Sequence, residues 1–264
     1  MHFDSYKKLK IERAGRRLIV TLTRPAALTA IDGEMHEELA HVFYDAAIDK
    51  DSDLVILTGA GRAFSSGGDI GWLQQMIDDP ALFDVCAVEA KRIVFSLLEC
   101  EKPVIAKVNG HAIGLGATLA LFCDVIFAAD SAKIGDPHVG VGFVAGDGGA
   151  VIWPQLVGYA RAKEYLMTGE FIPATRAAEF GLINHAVPLA ELDAAVDGFA
   201  ARLESGAMKA IRWTKTAVNI GLRQLAHSIM DAGLAYEGLS NRTRDHQEGV
   251  AAFREKRPPK FEGR

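Results

Sequence analysis

The sequence predicts an α/β fold whose C-terminal third is mainly helical. In the first two thirds of the chain, short apolar runs alternate with longer segments in which apolar residues recur at helical spacing. This alternation is typical of proteins in which helices connect the strands of a sheet. After about residue 147 the strand patterns nearly vanish and helical spacing continues. No linker or low-complexity segment separates the two parts, and no internal repeat is visible.

The N-terminal elements are predicted from a change of period. Apolar and polar side chains alternate from residue 17 to residue 23, after an Ala14-Gly15 turn, which indicates a hairpin strand. From Asp32, a suitable N-cap residue, the apolar positions recur every three or four residues. A helix therefore follows the strand.

The strands and helices in the middle of the chain are predicted from the length and spacing of its apolar segments. Continuous apolar runs predict strands buried on both faces at residues 54–57, 104–106 and 125–127. Helical spacing predicts helices at residues 69–76, 82–98 and 115–122. Further on, the apolar residues from Ile211 to Ile229 mark one long amphipathic helix.

Composition narrows the classes of function. The chain has 264 residues, 49% of them hydrophobic, and a formal net charge of −5 without a long basic block, so a nucleic acid is not the expected partner. No secretion signal or membrane-spanning run is visible, and a cytoplasmic enzyme of a small substrate is expected. Cys86, Cys100 and Cys123 lie in apolar runs and are interpreted as reduced core residues.

Two glycine-rich turns are the segments best suited to chemistry. Residues 63–70 and 109–118 each follow a buried strand and lead into a helix. The first N–H groups of a helix have no partner within it, and glycine lets a ligand approach them closely. Two such turns could therefore offer two donors to one oxygen, although tight turns alone would also explain the glycines. Neither turn matches a dinucleotide or P-loop motif.

These turns carry a family resemblance. Residues 63–69, AFSSGGD, resemble the crotonase AF-(S/C)-x-G-x-D turn, and residues 102–116 resemble its KPVIA-x-VNG-x-A-x-G-x-G segment. Further similar segments follow in order at 24–30, 166–170, 177–183 and 253–257. The chain thus resembles the crotonase (enoyl-CoA hydratase/isomerase) superfamily over nearly its whole length.

The resemblance implies an architecture and a substrate class. It implies a crotonase-like spiral of ββα units over residues 1–200, with an acyl-CoA site, and a helical region over 201–264 for oligomerisation. The expected assembly is a homotrimer or a dimer of trimers. The substrate is an acyl-CoA thioester, and neither a metal nor a separate cofactor is expected, since coenzyme A enters as part of the substrate.

The resemblance also assigns binding residues. The backbone N–H groups of Gly68 and Leu115 correspond to the family's oxyanion hole, and Leu115 stands where glycine is usual, which narrows the site. The coenzyme A contacts correspond to Ser66, Gly68, Asp69, Ile70, Leu115, Phe253 and Lys256. Asp69 is also a plausible N-cap of the next helix. The last two contacts belong to residues 241–264, which hold seven Lys or Arg against four Asp or Glu.

The sequence departs from the hydratase pattern at both catalytic glutamates. Thr118 and His138 stand in their places. Threonine cannot act as a general base near neutral pH, whereas an ordinary imidazole titrates near pH 6.5 and can. Asp147 lies one residue after the acidic position of some family members, and either catalysis or an N-cap role at the helix near Gly148 explains it.

The missing glutamates favour isomerisation, thioester hydrolysis or decarboxylation over plain water addition. Two alternatives stay open: a non-catalytic acyl-CoA-binding protein, and a structural oligomerisation module, which leaves the glycine turns unexplained. His111 and Asp136 are interpreted as polar turn residues without a catalytic role.

Overall fold

The structure, a computed structural model, describes residues 3–264; Met1 and His2, the first residues of the predicted core region, lie outside the described residues. The strands are β1 (Leu9–Ala14), β2 (Arg17–Leu22), β3 (Leu54–Gly59), β4 (Val104–Val108), β5 (Ala112–Ile113), β6 (Val125–Ala129), β7 (Lys133–Gly135), β8 (Ile172–Pro173) and β9 (His185–Val187). The helices are α1 (Gly33–Ile48), α2 (Ile70–Asp78), α3 (Pro80–Glu99), α4 (Leu115–Leu121), α5 (Gly149–Val157), α6 (Tyr159–Thr168), α7 (Ala174–Glu179), α8 (Leu189–Glu204), α9 (Met208–Asn241) and α10 (Arg244–Glu255). Short 3₁₀ helices cover Phe3–Ser5, Pro25–Ala27 and His138–Val141.

The large sheet has the strand order β1-β2-β3-β4-β6-β9. β1 and β2 form an antiparallel hairpin, and the other neighbours are parallel. Leu18, Val20 and Leu22 of β2 are fully buried, in alternation with partly exposed residues. β3 is buried along its whole length. The predicted hairpin strand and the predicted strand buried on both faces are therefore confirmed.

A second, three-stranded sheet has the order β5-β7-β8. β4 and β5 go to different sheets and are followed by α4, and β6 and β7 do the same before α5. This is the ββα order that the resemblance implies, and the predicted α/β fold is confirmed. β8 and β9 lie after residue 147, where almost no strand was predicted. They contain two and three residues, too few for a periodic pattern to show in the sequence.

The helix starts agree with the predicted caps. The Asp32 carboxylate accepts a hydrogen bond from the Met35 N–H at 2.9 Å. The Asp69 carboxylate accepts from the N–H groups of Gly71 and Trp72 at 2.9 and 3.2 Å. Each cap satisfies N–H groups that have no partner inside the helix and fixes where α1 and α2 begin.

The C-terminal helices pack on the core. The predicted amphipathic helix is α9, which extends well beyond residues 211–229 and packs against α3 and α5. α10 packs against α2. The predicted boundary at residue 200 falls inside α8.

The three cysteines, Cys86, Cys100 and Cys123, are buried and free, as predicted. Residues 3–264 contain no helix both long and apolar enough to cross a membrane.

Candidate active site

The two glycine-rich turns lie side by side. Ser65 pairs with Ala112 as in a parallel bridge, and the Ile113 N–H donates to the Ser65 carbonyl at 3.0 Å. A Cβ at Gly116 would lie 2.6 Å from the Ser65 Cβ, so only glycine lets α4 start this close to the first turn. Backbone pairing therefore places the start of α4 against the turn before α2.

The N–H groups of Gly68 and Leu115 remain available in this arrangement. Leu115 is the first residue of α4, where a helix cannot supply an acceptor for its N–H. Within residues 3–264, neither N–H donates a backbone hydrogen bond outside helices and strands. Both residues line the same cavity. The two predicted oxyanion donors are thus brought to one enclosed space.

That cavity is small and mixed in character. Its volume is about 40 Å³. Its lining consists of His36, Gly68, Trp72, Leu73, Met76, Phe83, Cys86, Ala90, Leu115, His138, Phe143, Asp147, Leu234 and Glu237. A water molecule needs roughly 10–15 Å³ by this measure, so the cavity holds about three water-sized groups. Titratable side chains and two backbone donors therefore surround a space suited to a small reacting group.

His138 lies between two carboxylates. Its Nδ1 hydrogen bonds to Asp136 Oδ1, and its Nε2 lies 3.7 Å from Asp147 Oδ2. A Cβ added to Gly114, the residue before Leu115, would lie 3.7 Å from His138 Cε1. The imidazole is thus beside the start of α4. At 3.7 Å, Nε2 and the Asp147 carboxylate form an ion pair without a direct hydrogen bond, which leaves both groups able to contact a substrate.

Burial and charge together set the protonation of this group. Burial by itself lowers the pKa of His138, but the carboxylates of Asp136 and Asp147 more than offset it and raise that pKa to about 10. The expectation that His138 titrates near pH 6.5 is therefore wrong. At neutral pH His138 is an imidazolium, a proton donor. Burial raises the pKa of Asp147, against the opposing effect of His138, which makes Asp147 a better proton acceptor than an ordinary aspartate.

Thr118 and Asp147 are in contact. The Thr118 hydroxyl donates to Asp147 Oδ1 at 3.3 Å, and both residues are buried. Gly148, not Asp147, occupies the N-cap position of α5, so the cap interpretation of Asp147 is wrong. The Gly149 N–H still favours the ionised carboxylate. The Asp147 carboxylate contacts Thr118 and lies 3.7 Å from His138 Nε2.

Two acidic residues of this site were missed in the sequence. Asp136, interpreted as a turn residue, is buried and bound to the His138 imidazole. Glu237, on α9, is buried and lines the cavity, and no sequence motif marks it. A histidine two residues after an aspartate was the one available signal for Asp136. His111, by contrast, is exposed, and its Nδ1 accepts from the Lys133 N–H, which agrees with the turn interpretation.

Asp136, His138 and Asp147 also have ligand atoms within 4.8 Å of one another. A proton on each nitrogen of the imidazolium faces a carboxylate, so His138 offsets part of the negative charge of the two aspartates without an ion. The expectation of no metal remains a prediction.

The predicted coenzyme A contacts are spread along one side of the site. Ser66, Asp69 and Ile70 are partly exposed around the start of α2. Phe253 and Lys256 are exposed at the end of α10. Neither lines the cavity, but the Arg254 guanidinium lies 3.3 Å from Gln74 Oε1, which places this end of α10 beside α2 in the same chain.

Known proteins share this sequence and fold. Residues 15–264 match the family model described as enoyl-CoA hydratase/isomerase. A crotonyl-CoA hydratase from Syntrophomonas wolfei is 35% identical over 97% of this chain and 98% of its own length. The crystal structure of an enoyl-CoA hydratase/isomerase from Mycobacterium paratuberculosis has a TM-score of 0.87 and 36% identity, covering 92% of this chain and 97% of that one.

Another solved structure is a beta-diketone hydrolase from the cyanobacterium Anabaena, bound to (S)-3-oxocyclohexyl acetic acid. Its TM-score is 0.83 and its identity 31%, covering 91% of this chain and 96% of that one. The ββα spiral with its paired turns therefore defines an enzyme fold of the crotonase type. The chain belongs to the enoyl-CoA hydratase/isomerase family.

Proposed function

We propose that this protein is an acyl-CoA enzyme that stabilises a thioester enolate with the N–H groups of Gly68 and Leu115 and moves protons with Asp147 and His138. One observation carries the proposal: these four residues line one cavity. The named relatives, which include a crotonyl-CoA hydratase, support the substrate class.

The backbone donors supply the charge stabilisation. Removal of a proton next to a thioester carbonyl puts negative charge on the carbonyl oxygen. Fixed N–H donors at a helix start are worth about 3–4 kcal/mol each to such a transition state. Because backbone atoms are the donors, Leu115 serves as well as glycine does, while its side chain fills part of the acyl space.

The side chains supply the proton transfer. The Asp147 carboxylate removes a proton from C2 of a 3-enoyl-CoA, and the electron pair moves onto the thioester oxygen. The His138 imidazolium then delivers a proton to C4 as the double bond moves to C2–C3. Asp147 gains one proton and His138 loses one, and transfer between the two restores both. An isomerase needs no water addition, which agrees with the replacement of both hydratase glutamates by Thr118 and His138.

Deuterium exchange tests this function. A 3-enoyl-CoA and crotonyl-CoA are incubated with the protein in D₂O, and label at C2 is followed by mass spectrometry. The wild type is expected to incorporate deuterium, and Asp147→Asn is expected to lose about 10² to 10⁴ of the rate. Asp193→Asn, which changes an exposed carboxylate on α8, is the matched control. Binding of both esters without any exchange would favour the non-catalytic acyl-CoA-binding alternative.

The remaining expectations belong to the same proposal. Lys256 and Phe253 contact the coenzyme A phosphates and adenine, and Ser66, Asp69 and Ile70 line its path. The chain assembles as a trimer or a dimer of trimers and acts in the cytoplasm. Lys256→Ala should weaken coenzyme A binding at low salt more than at high salt, because the contact is ionic.

A second candidate function is hydrolytic cleavage of a 1,3-dicarbonyl compound. The Anabaena enzyme, a beta-diketone hydrolase of the same fold, favours it. Asp147 would take a proton from water, and the hydroxide would add to one carbonyl. The bond between that carbonyl and the central carbon then breaks, and the electron pair forms an enolate on the second carbonyl. His138 would protonate its carbon.

Acetylacetone separates the two candidates. Hydrolysis of this diketone gives acetate and acetone, whose concentrations are measured by nuclear magnetic resonance. Turnover of acetylacetone with no exchange on either CoA ester would replace the first candidate by the second.

A further inference from the structure

Glu237 is a buried acid with an unused oxygen in the cavity. Its side chain is 4% exposed, and it projects from α9 into the space lined by Gly68, Leu115, His138 and Asp147. Within residues 3–264, Oε2 has no hydrogen-bond partner. A buried polar oxygen without a partner costs about 1–3 kcal/mol, so a ligand group or a water molecule that hydrogen bonds to Oε2 in the cavity is stabilised there.

Two glycines bring this carboxyl to its place. A Cβ on Gly146 would lie 2.7 Å from Glu237 Oε2. Gly233 lies one turn before Glu237 on α9 and packs against Gly146. A Cβ added to Gly233 would lie 3.2 Å from the Gly146 carbonyl oxygen. The backbone of the segment before α5 therefore contacts α9 directly. Any larger side chain at Gly146 would occupy the position of the acid.

The charges around Glu237 determine its state. The titratable groups that face it are Asp136, Asp147, His138 and Cys86. Burial, followed by the charge of Asp147, raises the pKa of Glu237 well above its usual value; Asp136 raises it further, while His138 and the Gly146 N–H oppose the shift. His138 is already paired with both aspartates. With no cation left for it, Glu237 is shifted toward its protonated form, whose O–H is a donor.

We infer that Glu237 is a substrate-binding hydrogen-bond donor, and that the substrate is a short acyl-CoA with an oxo or hydroxy group on its acyl chain. This inference rests on the proposed function. The thioester oxygen occupies the two backbone donors, so a second oxygen on the acyl group is the acceptor that remains for Glu237. The cavity of about 40 Å³ restricts the acyl group to a few atoms. A purely hydrocarbon chain would leave the Glu237 O–H without an acceptor.

The test compares two esters that differ in one oxygen. Dissociation constants for acetoacetyl-CoA and butyryl-CoA are measured by calorimetry on the wild type, Glu237→Gln and Glu237→Leu. Glutamine keeps a neutral donor at the same distance, whereas leucine removes it at similar volume. The wild type and Glu237→Gln should prefer acetoacetyl-CoA by about 10-fold, and Glu237→Leu should lose this preference, a change of about 1.4 kcal/mol. Asp231→Asn, an exposed change on the same helix, should retain it.

Each other outcome has a distinct meaning. If Glu237→Gln loses the preference as fully as Glu237→Leu, the ionised carboxylate is the active form and the inference is overturned. If the wild type binds both esters equally, the inference fails while the proposed function stands. If the wild type binds neither ester, the proposed function fails and the inference with it. Circular dichroism melting of each variant separates lost binding from lost folding, and Glu237→Leu should melt no lower than the wild type because it removes an uncompensated buried polar group.

Discussion

His138 shows how neighbours change a residue's chemistry. On its own an imidazole titrates near pH 6.5, and it would act as a base at neutral pH. Between Asp136 and Asp147 its pKa is about 10, so it keeps its proton at neutral pH, as the proposed role of an acid requires. Its spacing from Asp136 is visible in the sequence. Asp147, the other carboxylate beside His138, is brought close to the imidazole only by the fold.

The first prediction at this scale concerns Asp136→Asn. The activity of the wild type should fall as pH rises through about 10, because His138 then loses the proton that it must donate. Loss of the Asp136 charge removes a cause of the raised pKa, so this basic limb should move to lower pH by about 1–3 units. The pH dependence of 3-enoyl-CoA isomerisation, followed as deuterium incorporated at C4, measures it, with Asp130→Asn, an exposed change, as the control. An unmoved basic limb would contradict the assignment of His138 as the acid.

The second concerns Thr118→Val. The Thr118 hydroxyl donates to Asp147 and lowers the pKa of that carboxyl. Without this hydrogen bond the ionised form is less stable, so the acid limb of the pH profile should move up by roughly 0.5–1 unit, for a net hydrogen bond of about 1 kcal/mol. At a pH above the pKa of Asp147 in both the wild type and Thr118→Val, the two proteins should have nearly the same rate. A large rate loss at every pH would instead indicate that Thr118 contacts the substrate.

At the scale of elements, the start of α4 determines where the Leu115 N–H, one of the two proposed oxyanion donors, lies. α4 is short, and its first residue carries the Leu115 N–H. The helix is held against the turn before α2 by contacts that only a glycine permits. The structure thus converts two separate motifs, about 45 residues apart in the chain, into one pair of donors.

The prediction for this element compares two glycines, both in helices. Gly116→Ala puts a methyl group 2.6 Å from the Ser65 Cβ, and should destabilise the fold by about 1–3 kcal/mol through overpacking. It should also lower exchange at C2, since Leu115 shifts with the helix. Gly221→Ala, on α9, meets no atom within 4 Å and should stabilise by about 0.5–1 kcal/mol. Chemical denaturation measures both. Equal free energies of unfolding for the two variants would show that α4 can shift to accommodate the added methyl group without loss of stability.

At the scale of the whole molecule, α9 has one face toward the cavity and another that exposes large apolar side chains. Its inner face carries Glu237 into the cavity, while its outer face exposes Trp213, Val218, Tyr236 and Leu239, each more than 60% accessible in the single chain. Large apolar side chains in such number on one helix are typical of a surface covered by another subunit.

The prediction at this scale is a homotrimer or a dimer of trimers. Multi-angle light scattering at micromolar concentration should report three or six chains per particle. Dilution to nanomolar concentration should leave the particle intact if the contact is a permanent one. A monomer at micromolar concentration would contradict the prediction, and would leave the exposed face of α9 without an explanation.

The amino-acid sequence alone predicts the fold class, the buried strands, the caps at Asp32 and Asp69 and the two glycine-rich turns. These depend on local periodicity, on capping chemistry and on motifs a few residues long, all of which are present in the order of the residues. The family resemblance added the ββα spiral, which the structure confirms.

The protonation of the site residues could not be predicted from the sequence and depends on how the chain folds. The charge of His138 depends on Asp147, nine positions away, and the protonation of Glu237 depends on its burial among residues about a hundred positions earlier. A pKa is set by distance and desolvation in space, and neither quantity has a signature in the local sequence. The same residues in an open loop would titrate near their ordinary values, so the acid, the base and the buried donor exist only once the chain has folded around them.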